Sequence, residues 1–107
     1  MGRGFELSRL ICARLALLRV CAEPGGQTPY VTVREEAAGE GRRRVTVVLW
    51  DRTEWRATDG ARAIFRLLNG WLPARRYGKL TAAVGAPSEG PGGLWRCAVT
   101  ATGLEAV

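Results

Sequence analysis

A chain of 107 residues has room for one ordinary domain of about 100–150 residues, and a second core does not fit. Sixteen basic against ten acidic residues leave a formal charge of +6, which favours anionic partners: nucleic acid, acidic lipid or an acidic protein face. Histidine is absent, so the side chain most used for proton transfer and metal ligation is missing, and many catalytic designs are excluded.

Cys12, Cys21 and Cys97 are odd in number and show no C-x-x-C spacing, which argues against a zinc site and against a disulfide framework. The expected setting is the cytoplasm or another reducing interior. A mitochondrial presequence is the alternative, because Arg3, Arg9, Arg14 and Arg19 accompany only Glu6 near the start. The 47% hydrophobic content supports a packed core, while no uncharged apolar run approaches the roughly 20 residues that span a bilayer. All basic residues but Lys79 are Arg, a skew that a GC-rich coding sequence also produces, so charge alone carries limited weight.

In chain order, Leu7, Leu10, Ile11, Leu15, Leu18 and Cys21 recur at helical intervals, and Pro24-Gly25-Gly26 stops the pattern. This predicts a first helix over about residues 5–22. Arg14 falls inside its apolar stripe, where the stem packs and the head reaches either water or a carboxylate. Residues 30–35 and 44–50 alternate with period two around Ala37-Ala38-Gly39-Glu40-Gly41 and read as a β-hairpin. Val45, Val47 and Leu49 then share the core face, and Glu35 and Glu36 oppose Arg43 and Arg44 as modest surface ion pairs.

A second helix is predicted with Thr58 or Asp59 as its cap, Ala61, Ile64, Phe65, Leu68, Trp71 and Leu72 as its stripe, and Asn69-Gly70 as its stop. Two further strands follow at 79–84 and 94–102. The second sets Trp95, Cys97, Val99 and Ala101 against Arg96, Ala98 and Thr100, and a mobile loop at 85–93 joins the two. The expected fold is therefore α+β: two helices on one face of a mixed, largely antiparallel sheet of about four strands, in αββαββ order.

Asp51, Glu54 and Asp59 cluster after the second strand, where a polar connection with a helix cap explains them better than a metal or acid–base pair. Without His, a cysteine nucleophile lacks its usual base, and neither phosphate-loop nor dinucleotide glycine pattern occurs. No catalytic residue, metal or cofactor is expected. Trp50, Trp55, Trp71 and Trp95 are read mainly as core, with base stacking as the alternative.

The basic clusters say more. Strand two runs about 23 Å away from the hairpin turn, and the second helix returns about 17 Å, so Arg42-Arg43-Arg44 and the Arg75–Lys79 segment converge at one end, joined by Arg34. The same geometry makes strands two and three parallel neighbours or near-neighbours. The expected interface is Arg34, Arg42, Arg43, Arg44, Arg75, Arg76, Tyr77 and Lys79, with Tyr77 as a stacking group and Arg43 and Arg76 at the surface. The run Arg75-Arg76-Tyr77-Gly78-Lys79 lacks the further aromatics of an RNA-recognition strand, since Leu80, Ala82 and Val84 follow.

The expected function is a small, basic, non-enzymatic module that binds nucleic acid mainly through phosphates. A protein-interaction module, an accessory subunit or small inhibitor using a sheet edge and exposed aromatics, is the alternative.

Overall fold

The computed structural model describes residues 6–20 and 27–105. Helix α1 spans Glu6–Leu15 and tightens into a 3₁₀ turn at Ala16–Leu18, so it is shorter than its apolar pattern predicts. The left-handed Arg19 (φ 56°) ends it, which places the stop before Pro24. Cys21 and the Pro24-Gly25-Gly26 stop lie outside the described residues.

Strands β1 (Tyr30–Ala37) and β2 (Arg42–Asp51) form the hairpin. Its turn is closed by Ala38 N–H to Arg42 O and Arg42 N–H to Gly39 O, both 2.8 Å. Gly39 (φ 83°) and Gly41 (φ 75°) supply the left-handed backbone this turn requires.

Helix α2 spans Glu54–Leu68 and begins earlier than expected. Thr53 is its cap: the Thr53 hydroxyl accepts the Arg56 N–H at 3.3 Å. Thr58, expected as the cap, lies within the helix and donates its hydroxyl to Glu54 O at 2.9 Å. The expected stop holds, with Asn69 as C-cap and Gly70 at φ 77°.

Strand β3 (Thr81–Val84), the two-residue β4 (Ser88–Glu89) and β5 (Trp95–Leu104) complete the sheet. β4 and a 3₁₀ turn at Pro91–Gly93 occupy the segment read from sequence as a loop.

The strand order is β1-β2-β5-β3, with β4 also paired to β5. Every ladder is antiparallel, in correction of the mixed sheet expected, because β5 inserts between β2 and β3. β2 and β3 run parallel as near-neighbours, and β5 lies between them and pairs with both. This split arrangement brings the C-terminal strand into the centre.

One core lies between sheet and helices. α1 contributes Leu7, Ile11 and Leu15, and α2 contributes Ala57, Ala61, Ile64 and Leu68, each set at helical spacing. They meet Val31, Val45, Val47, Leu49, Cys97, Val99 and Ala101, the inward-facing positions of β1, β2 and β5. Gly60 explains how closely α2 approaches: a Cβ there would collide with the Leu49 side chain. The half-buried Arg14 packs its head on α2: its Nε donates to Leu67 O at 2.9 Å and its guanidinium stacks 4.8 Å from the Trp71 ring, with no carboxylate partner among the described residues. A cation on the last-turn carbonyl of α2 suits the helix dipole and pins α1 to α2.

None of the four tryptophans is fully buried. Trp71 and Trp95 pack against the core, Trp50 lies on the other side of the sheet, and Trp55 is 63% exposed. No helix among the described residues is long and apolar enough to cross a membrane.

Candidate functional site

Strand alternation sorts the hairpin cations onto two faces. Residues 43, 45, 47 and 49 of β2 point toward the helices, so Arg42 and Arg44 must point away from them. The opposite face of the sheet carries no described helix. Across it run rows of paired residues: Thr81, Thr102, Arg44 and Glu36, then Ala83, Thr100, Thr46 and Arg34.

At the hairpin end of this open face, Arg42, Arg44, Lys79, Thr81 and Thr102 line a shallow depression of about 460 Å³. None of its lining residues is acidic. Arg42 and Lys79 are exposed and have no ion-pair partner among the described residues. Among the described residues, Glu36 is the acid that pairs with this group. It is shared between Arg34 at 3.5 Å and Arg44 at 3.9 Å, leaving the set net positive. Thr81 and Thr102, opposite each other across the β3–β5 ladder, add hydroxyl donors.

The rest of the expected interface is arranged differently. Arg43 is on the helix side, and its Nε donates to Glu35 Oε2 at 3.0 Å. The Glu35 side chain is fully buried and also accepts the Ser8 N–H at 2.8 Å, which ties the start of α1 to β1. This pair is an internal tie, in correction of the surface pair expected; the odd register of Arg43 turns it inward.

Arg76 bridges Glu6 at 2.9 Å and Glu105 at 3.4 Å, so its guanidinium is already engaged with carboxylates. Tyr77, expected to stack on a base, is only 3% exposed and points its hydroxyl at Glu6 Oε1, 3.5 Å away. Its ring is core and offers no free face. Burial chiefly, with Glu6, Glu105 and Glu35 nearby and Arg76 opposing, raises its hydroxyl above the ordinary 10.0. Arg75 is exposed in the loop before β3.

The two basic segments do converge, as the chain path predicts. Tyr77 bridges Glu105, Gly78 N–H bonds Leu104 O at 2.9 Å, and Glu105 N–H bonds Gly41 O at 2.6 Å. The sequence reading missed Thr81 and Thr102, whose placement depends on β5 lying between β2 and β3.

Elsewhere, Asp51 is buried and accepts the Arg52 N–H at 2.7 Å, a local turn contact. Among the described residues no group of three His, Cys, Asp or Glu could hold a metal ion. Cys12 and Cys97 are free thiols whose pKa burial raises, with Arg62 partly opposing at Cys97.

Comparison with protein-family models, with curated proteins and with solved structures finds no match to this chain.

Proposed function

We propose that the protein is a small non-enzymatic binding module whose open sheet face takes nucleic acid, mainly through phosphates. The observation that carries this reading is the depression where Arg42, Arg44 and Lys79 meet Thr81 and Thr102. Guanidinium, ammonium and hydroxyl donors around one hollow are the chemistry a phosphodiester accepts. Arg34 extends the positive strip along the sheet, and Arg75 offers an exposed cation before β3. Arg43, Arg76 and Tyr77 support this surface from behind and do not contact the ligand.

The test is retention of single- and double-stranded oligonucleotides at low salt by the wild-type protein and by the variant Arg44→Glu/Lys79→Glu. Two or three phosphate contacts give a log–log salt slope of about −1.5 to −2.5. The double reversal should cut affinity at least about tenfold and flatten that slope. Equal binding by both proteins, or no binding by either, sinks the reading.

One observation favours a second reading, that of a protein-interaction module: β1 is an eight-residue edge strand, with no strand on its far side among the described residues. Copurification of one stoichiometric protein that resists nuclease would support it.

A further inference from the structure

Far from the basic depression, the same open face carries a second feature. Tyr30, Trp50 and Arg96 are direct cross-strand partners on β1, β2 and β5. The Tyr30 and Trp50 rings are stacked, with centroids 6.0 Å apart and planes within 7°. The Arg96 guanidinium lies 5.5 Å from the Trp50 ring centroid.

Polar contacts and close packing hold this ladder upright. Trp50 Nε1 donates to Thr32 Oγ1 at 3.3 Å and Arg96 Nε to Ser88 Oγ at 3.1 Å. Gly90 approaches so closely that a Cβ there would come within 2.6 Å of the Trp50 ring. The chain thus keeps two large rings on its helix-free face, in fixed orientation, when burial against the helices would gain more.

Between ladder and depression the β2 and β5 positions of this face are small: Thr46, Val48, Ala98 and Thr100. From Trp50 to Arg44 this stretch runs six residues of β2, about 20 Å. Trp50 has a partner on each side, Tyr30 and Arg96. Tyr30 ends the stack: it is half-buried, and β1 is the outermost strand among the described residues.

We infer that the open face binds single-stranded nucleic acid in preference to duplex, with phosphates at the Arg42/Arg44/Lys79 end and an unpaired base extending the Tyr30–Trp50–Arg96 stack. This rests on the proposed nucleic-acid reading and adds the substrate class and a base contact. Stacking needs an exposed base face, which a duplex interior does not offer, whereas every unpaired base has one. A ladder already ordered by its neighbours adds little ordering cost when a base joins it.

The experiment compares three ligands on the wild-type protein at fixed salt: a short mixed-sequence single strand, its duplex, and the same strand with abasic sites in place of its bases. The single strand should bind tightest. Loss of the bases at constant phosphate number should weaken binding roughly five- to hundredfold, the range for one stacked base. The variant Tyr30→Ala should lower the ratio of single-strand to duplex affinity by a similar factor while leaving the salt slope unchanged.

Equal affinity for the normal and abasic strands overturns the stacking inference. So does polyglutamate competing as well as a single strand of equal charge. In the first case the proposed function still stands if Arg44→Glu/Lys79→Glu abolishes binding; absence of all nucleic-acid binding removes both. The abasic comparison uses unaltered protein, so it decides the matter even if Tyr30→Ala fails to fold.

Discussion

Arg43 and Arg44 are neighbours in the chain and belong to opposite sides of the sheet. Arg44 lies over the open face with Glu36 at 3.9 Å and solvent around both. Arg43 turns toward the helices and holds a Glu35 carboxylate that has no exposed surface. One residue of register therefore separates a cation available to a ligand from a cation committed to the fold. A run of three arginines is not one functional unit when it lies in a strand.

The comparison breaks most visibly in stability. Arg43→Ala removes the charged partner of a buried carboxylate, a change that costs several kcal/mol where burial is complete. Since the Arg43 side chain is 20% exposed, we expect about 3 kcal/mol, a large share of the roughly 5–15 kcal/mol that holds such a domain together. Arg44→Ala removes only an exposed, long-range pair and should stay within about 0.5 kcal/mol. Urea unfolding of the two variants checks this directly. Equal midpoints would mean that the two arginines do the same work.

A smaller effect separates Arg76 from Arg75 in the second cluster. Arg76 ties α1, through Glu6, to the residue that follows β5, Glu105, in pairs about one-third exposed. Solvent screening limits the expected cost of Arg76→Ala to about 1 kcal/mol. Arg75→Ala should leave the melting temperature unchanged, since Arg75 is exposed and has no partner among the described residues. Thermal melts that rank the two in the reverse order would place the structural cation wrongly.

The α+β class and the inward-facing positions were legible because local patterns carry them. Period-two alternation in β2 and β5, helical spacing in α1 and α2, and Asn69-Gly70 each act over a few residues. The convergence of the two basic segments was legible as well, because it needs only strand and helix lengths. Which cations lie on the open face was not, although the clue is present: Val45, Val47 and Leu49 on the core side put Arg43 inward too.

Tyr77 was misread for a different reason. Its burial depends on Leu104 at the end of the distant β5 and on Glu105 just after it, contacts no local pattern announces. Thr53 is not legible as a cap from a stripe that begins at Ala61. Ala57, one turn earlier, is already buried and extends the stripe back.

The faintest difference between the open face and the helix-covered face should appear only at alkaline pH. Tyr77 holds its proton more tightly folded than unfolded, so the folded state binds more protons once pH exceeds the unfolded value near 10.0. Its contribution is fully present below that value and is lost as pH rises through the folded pKa. Cys12 and Cys97 shift in the same direction from 9.0, so their part of the slope begins about one unit lower. Tyr77→Phe isolates the phenol: it keeps the buried ring and forfeits only the long contact with Glu6, so near neutral pH the variant should melt within a few degrees of wild type. Between pH 10 and 11.5 the wild type should lose stability faster than the variant, closing or reversing the gap. Parallel loss in both proteins across that range would mean that Tyr77 ionises freely and that its ring is open to solvent after all.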